Sequence, residues 1–444
     1  MPVPLSLAVR TERQALMNCR YEPHSGDQYP FALDESVIGS QWPRQRGGKS
    51  RPRVFLYSHD TYGLGHLRRN LAIAEHMLGR NRQFGVRLLT GSPVIKDWSL
   101  PPGLDVTALP PVVKTGVETY RPRNSQLPFG LIKAYREALI LKAVIAEAPD
   151  VLLVDHAPAG MNAELLATLA FIRREMPSTH VVLGLRDILD APQTVREIWS
   201  EQSIIPLIEN LYDQVIVYGC RSLFDVVANY GLPSSIASKL SYSGYVARRP
   251  HLAAPRAKLA PRTVLVTAGG GEDGFFLMEA YLDALSHLPE GAVRSKIVTG
   301  PLMSPAQRQL LDARARANGA IEIITVTTDL PTMLDDADLI VSMGGYNTSV
   351  EIIGSGKPAI LVPRAAPRAE QKLRAQMLAG LGYVWMVEPK EGLPQRLGAQ
   401  IADFLNGARP RLGSERLDLD GARRVGDLLE ELVCGAHPAL EAAQ

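Results

Sequence analysis

The 444-residue chain is 46% hydrophobic and 21% charged, enough to fill two cores, because single cores stop growing near ~250 residues. A formal net charge of +2 without a long single-sign block is not the footprint of a dedicated nucleic-acid binder. Three widely spaced cysteines, Cys19, Cys220 and Cys434, exclude a disulfide framework and point to a reducing, cytoplasmic compartment, and no apolar run approaches the ~20 residues of a membrane span.

Residues 1–50 carry Pro23, Pro30, Pro43, Gly47 and Gly48 and end in the basic stretch PRQRGGKSRPR. They read as an N-terminal extension, either a solvated tail or a contact for phosphates or lipid head groups. From residue 51 the pattern changes to short apolar runs alternating with helical segments: RVFLYS, HLRRNLAIAEHML, FGVRLLTG, DVLLVDH, NAELLATLAFIRREM, HVVLGLRD, DQVIVYG. That rhythm predicts a parallel sheet covered on both faces, so 51–245 is expected to be a doubly wound α/β domain. The stretch 246–262, rich in proline, alanine and basic residues, reads as a linker. The rhythm restarts over 263–405 and predicts a second α/β domain. In the tail, 406–444, DGARRVGDLLEELV fits an amphipathic helix.

Chemistry-bearing residues collect where strands are expected to end. The first strand runs into HDTYGLGH, placing His59, Asp60, Gly63, Gly65 and His66 at a strand-to-helix turn. Glycines there let a ligand approach the backbone, and the helix start offers unpaired N–H groups to an anion. Histidine is the side chain suited to take a proton near neutral pH, so His66 is the candidate general base, with Asp60 and Asp155 as alternatives. Asp155 and Arg186 close later strands of the same domain and are expected at the same cleft, for ligand recognition or internal salt bridges. The neighbouring Arg68 and Arg69 read as solvent-facing or salt-bridged, with phosphate contact as the alternative.

The second domain opens on TVLVTAGGGEDG, where Gly269, Gly270 and Gly271 form a turn able to receive a diphosphate on backbone N–H groups. A dinucleotide site also needs an acid after the next strand, which here ends in Thr299 and Gly300; this argues against NAD. Further on, MGGYNTSVE supplies Gly344 and Gly345, then Asn347 and Thr348 as expected helix caps. Glu351 stands at capping-box spacing from Thr348 and is either a cap residue or a carboxylate for ribose hydroxyls. Glu370 and Gln371 follow the next buried strand with hydrogen-bonding groups suited to sugar hydroxyls. The acidic pairs in DAD and DLD lead into a strand and lie in the tail, so no metal site is expected.

These residues together resemble the GT-B glycosyltransferases, and within them glycosyltransferase family 28, the family of the lipid II N-acetylglucosaminyltransferase, in a branch of uncharacterised bacterial members. The likeness runs over about 54 to 400. It implies two Rossmann-like domains facing a cleft and transfer of a sugar from a nucleotide-diphosphate donor, UDP-linked in the family, with inversion and without metal or other cofactor. By resemblance Gly63, Gly65 and His66 face acceptor and donor phosphates, the segment at Leu330 contacts the base, and Gly344, Gly345 and Thr348 cradle the diphosphate. Glu351 holds the ribose, Gln371 reads the donor sugar, and the turn at Gly269–Gly271 faces the diphosphate from the other side. Two departures stand out: EQKLRAQ places Arg374 where the family carries an asparagine, and His59 and Asp60 are added beside the first turn. The expected partners are a nucleotide sugar and an acceptor that is lipid-linked, a glycan or a small molecule, met in the cytoplasm or at the inner face of the membrane. The alternatives are an epimerase or hydrolase of the same fold and a non-catalytic nucleotide-sugar-binding protein.

Overall fold

The computed structural model describes residues 51–60, 65–81, 84–116, 119–123, 125–247, 261–316, 318–327, 329–364 and 368–434. The expected extension over 1–50, most of the expected linker and Gly63 lie outside these residues.

The first domain is built on β1 (Arg53–Ser58), β2 (Gly85–Thr90), β3 (Leu104–Ala108), β4 (Val112–Gly116), β5 (Thr119–Pro122), β6 (Val151–Asp155), β7 (His180–Arg186), β8 (Gln214–Tyr218) and β9 (Leu240–Tyr242). Seven of these form one parallel sheet in the order β3-β2-β1-β6-β7-β8-β9. The central strands are apolar without alternation because helices cover both faces; all five residues of β6 are buried. Strands β4 and β5 pair antiparallel as a separate hairpin, an element the α/β rhythm does not announce.

The second domain carries β10 (Arg262–Thr267), β11 (Val293–Val298), β12 (Ile321–Ile324), β13 (Leu339–Ser342), β14 (Ala359–Leu361) and β15 (Trp385–Met386), in the order β12-β11-β10-β13-β14-β15. Both sheets thus reverse direction beside their first strand, between β1 and β6 and between β10 and β13. Ligands in open α/β sheets bind outside the strand C-termini at such switch points. The chain then returns: helix Gly421–Cys434 lies along helix Gly65–Asn81 of the first domain, with Val425 and Leu429 in one apolar cluster with Leu71 and Leu78. Gly426 permits the close approach, since a Cβ there would meet the His76 ring.

Candidate active site

At the first switch point, helix Gly65–Asn81 starts beside the end of β6 and presents His66 to Asp155. His66 Nδ1 lies 2.6 Å from Asp155 Oδ2, and the carboxylate is fully buried while the imidazole keeps slight exposure. Asp155 also accepts from Arg69 Nη2 at 2.7 Å and Nε at 3.1 Å. Burial alone would raise the Asp155 pKa, but the adjacent Arg69 and His66 outweigh it and hold the group at about 2. An ionised Asp155 accepts the Nδ1 proton, which assigns the tautomer and leaves Nε2 as the ring's acceptor. Arg69 sits one turn after His66 on the same helix face and its guanidinium lies over Tyr218 and Tyr346 at 4.9 and 5.4 Å.

Two more imidazoles complete this rim. The His59 and His156 ring centroids lie 5.7 and 5.2 Å from that of His66. His156 follows β6 in a left-handed backbone conformation (φ 71°), uncommon for a residue with a Cβ. Burial first, and then Arg186 beside it, push its pKa well below the ordinary histidine value. Asp60 turns the other way, accepting from the Thr90 hydroxyl of β2, and burial raises its pKa. It makes no hydrogen bond to His66, so the His66 to Asp155 pair forms without it.

In the second domain the Gly269–Gly271 turn packs on the loop after β11. Gly271 has φ 89°, and a Cβ there would strike the Thr299 carbonyl, so the turn needs glycine. Leu330 is buried at the start of helix Leu330–Asp336. Helix Tyr346–Ser355 begins directly after Gly345, which is its N-cap without a side-chain hydrogen bond. This corrects the expectation that Asn347 and Thr348 cap the helix with Glu351 as the box partner. Both lie inside the first turn, because the chain is already helical at Tyr346. Glu351 instead meets Arg68 of the first domain at 3.4 Å, so Arg68 is engaged across the cleft rather than solvated. Glu370 accepts from Arg364 at 2.7 Å, and Gln371 Oε1 accepts from the Arg364 backbone N–H at 3.2 Å. Asp338, part of the DAD stretch, accepts from the Thr263 N–H at 3.0 Å and from Arg262 at 3.3 Å, a structural role.

The domains meet through buried polar contacts. Arg374 crosses to Asp187 Oδ1 (3.3 Å) and the Ile188 carbonyl (3.2 Å), and Asp187 also accepts from Tyr245 at 2.5 Å. The Tyr346 hydroxyl donates to the Tyr218 carbonyl at 2.9 Å, and the Ala369 N–H donates to Asp190 at 2.8 Å. Gly65 faces Asn347 so closely that a Cβ at 65 would overlap its amide. The starts of two helices, Gly65–Asn81 and Tyr346–Ser355, therefore face each other across the cleft, a setting in which unpaired N–H groups and helix dipoles favour an anion. Tyr218, Tyr346 and Asp190 were not marked as site residues by the sequence. Their signal is only their position: Tyr218 closes β8, Asp190 lies in the loop after β7, and Tyr346 follows the Gly344–Gly345 pair.

Comparison with known proteins places these features. Residues 263–412 match the Glycosyltransferase family 28 C-terminal domain. The chain is 27% identical over 218 residues to a UDP-N-acetylglucosamine--N-acetylmuramyl-(pentapeptide) pyrophosphoryl-undecaprenol N-acetylglucosamine transferase of Brucella suis biovar 1 (strain 1330), covering 45% of this chain and 55% of that protein. It thus spans about half the length of the curated relatives it matches. Among solved structures, MurG of Acinetobacter baumannii superposes with a TM-score of 0.51 at 15% identity, over 86% of this chain and 99% of that one. A structure described as a UDP-N-acetylglucosamine 2-epimerase from Listeria monocytogenes superposes with a TM-score of 0.58 at 14% identity, over 87% and 98%. At these identities the structures show the shared fold. The second domain thus matches the family 28 C-terminal domain over 263–412, and the two Rossmann-like domains share the GT-B fold of glycosyltransferase structures.

Proposed function

We propose that the protein transfers a sugar from a UDP-sugar to an acceptor hydroxyl, with inversion at the anomeric carbon. The observation that carries this reading is the buried His66 to Asp155 pair at 2.6 Å, set opposite the start of helix Tyr346–Ser355 in a family 28 domain. In the proposed step His66 Nε2 takes the acceptor's O–H proton while that oxygen attacks the anomeric carbon. The bond from that carbon to the diphosphate oxygen breaks with its electron pair, and UDP leaves. Asp155 stabilises the imidazolium and keeps Nε2 turned to the cleft. Charge developing on the diphosphate is met by N–H groups of Gly344, Gly345 and the following helix turn, with the Gly269–Gly271 turn opposite. The proposal needs no metal and no cofactor beyond the nucleotide sugar.

On the donor side, we assign Glu351 to the ribose hydroxyls, Leu330 to the base, and Glu370 and Gln371 to the sugar. Arg68 then has to release Glu351 when the nucleotide enters. Among the described residues no helix is long and apolar enough to cross a membrane. The curated relatives are named for a pyrophosphoryl-undecaprenol acceptor, and we propose a lipid-linked acceptor here, met at a membrane surface. Exposed Leu131 and Tyr135, four residues apart on helix Phe129–Glu147, with exposed Leu127 just before its start, give the first domain an apolar patch suited to that surface. A thermal-shift screen of UDP-, GDP- and dTDP-sugars tests the donor class. A ligand at 100 times its dissociation constant stabilises by about 2.7 kcal/mol, and a UDP-sugar is expected to give the largest shift. No shift with any of them would remove the reading.

A further inference from the structure

Among the described residues, the fully buried arginines are paired. Arg69 has Asp155 at 2.7 Å, Arg136 has Glu164 at 2.6 Å and Arg374 has Asp187 at 3.3 Å. This follows from the cost of removing a charge from water, which must be met by a counter-charge and hydrogen bonds. Arg186, at the end of β7, is half-buried as a residue and differs from them. Among the described residues it has no carboxylate partner; its Nη2 reaches only the His156 ring, at 3.4 Å from Nε2, and its Nε is buried without a hydrogen bond.

The surroundings do not compensate. Burial, and then Arg69, Arg374 and Arg368 nearby, pull the Arg186 pKa down to about 10, opposed by Glu370. Glu370 gives Oε1 to Arg364 at 2.7 Å, and its Oε2 is buried without a hydrogen bond and makes none to Arg186. His156 adds a second unmet donor. Its Nε2 is the acceptor toward Arg186, so its proton is on Nδ1, which is buried with no partner. Arg186 ends β7 and His156 directly follows β6, beside His66 and within the cleft where ligands of this fold bind.

Resting on the reading of that cleft as a nucleotide-sugar site, we infer that Arg186 and His156, with Arg368 nearby on the second domain, form a subsite for an anionic group of a ligand. A carboxylate or phosphate oxygen there would receive the guanidinium's in-plane donors and the Nδ1–H, and would supply the counter-charge that the chain withholds. Two sources fit this chemistry: the carboxylate of a hexuronic acid on the donor, or an anionic substituent of the acceptor.

The test uses the full chain, wild type, Arg186→Gln and Arg186→Lys, in calorimetric titrations with UDP, UDP-glucose, UDP-glucuronate and inorganic pyrophosphate. If the anion is on the donor, wild type binds UDP-glucuronate at least about tenfold more tightly than UDP-glucose, ~1.4 kcal/mol, and Arg186→Gln brings the two within about twofold. If it is on the acceptor, the two UDP-sugars bind alike, while pyrophosphate binds wild type with or without saturating UDP and fails to bind Arg186→Gln. Arg186→Lys retains the charge and keeps part of either effect. UDP itself binds all three alike; a chain that binds no UDP fails the nucleotide-sugar reading, and the pyrophosphate titration still decides on Arg186. Equal affinities for both UDP-sugars together with no pyrophosphate binding, or effects that survive in Arg186→Gln, overturn the inference. So does a melting temperature that falls by several degrees in Arg186→Gln, because removing a cation that lacks a partner should leave the fold as stable or more so.

Discussion

Substituting Arg374 tests whether the two domains are held together by the buried contact that departs from the family pattern. Its guanidinium is almost fully buried, lies 5.5 Å over the Tyr346 ring, and reaches Asp187, the Ile188 carbonyl and, at 3.5 Å, the Gly344 carbonyl. Arg374→Met keeps most of the volume and strands Asp187 as a buried carboxylate. Breaking a buried pair by removing one partner costs about 3–5 kcal/mol. Asp187 keeps the Tyr245 hydroxyl at 2.5 Å and the Ile188 N–H at 2.7 Å, which puts the expected loss at the lower end, about 3 kcal/mol. Urea unfolding followed by tryptophan fluorescence measures it. The double variant Asp187→Asn with Arg374→Met should lose less than the sum of the two singles, by roughly 1–3 kcal/mol. A single-variant loss below about 1 kcal/mol, or strict additivity in the cycle, would refute the view that this pair holds the interface.

Other outcomes follow from the same geometry. Asp155 ionises at about 2 in the fold, below the ordinary aspartate value of 3.8, so its depressed pKa stabilises the folded state above pH 4, and that stability is lost as pH falls through 2. The contribution is about 2 kcal/mol, and unfolding curves of wild type and Asp155→Asn should converge between pH 4 and 2; parallel curves would contradict the pairing. His66→Ala should lower donor turnover by about 10²- to 10⁴-fold with UDP affinity retained in calorimetry, and an unchanged rate would displace His66 as the base. Gly271→Ala forces a Cβ toward the Thr299 carbonyl at positive φ and should cost at least about 2 kcal/mol in urea unfolding, whereas a neutral result would show a turn able to relax. Leu131→Glu should reduce co-sedimentation with anionic phospholipid vesicles severalfold, and equal sedimentation would remove the proposed membrane face.

Much of the architecture is legible because parallel strands buried on both faces must be continuous apolar runs. RVFLYS, DVLLVDH and TVLVTAGGG mark β1, β6 and β10, and the residues that follow them lie at the switch points for purely topological reasons. Local rules were weaker at the helix after Gly345. Thr348 and Glu351 obey capping-box spacing, yet Gly345 starts the helix earlier and Glu351 is drawn to Arg68, a partner 283 residues away. Such long-range ion pairs leave no trace in spacing, as Arg374 with Asp187 also illustrates. Arg69 could be recognised as a neighbour of His66 from its helical spacing, but its buried partner, Asp155, needed the fold. The β4 to β5 hairpin was hidden because its strands are short, with polar residues among the apolar ones.

The central claim, that the cleft moves a sugar onto an acceptor with His66 as base, is tested most directly by UDP release from the UDP-sugar that raises the melting temperature most. Release is followed with and without a pyrophosphoryl-undecaprenol-linked saccharide acceptor, in wild type and His66→Ala. The account predicts release that depends on acceptor and is lost in His66→Ala while UDP binding persists. Release that proceeds equally without acceptor, or equally in His66→Ala, would contradict it.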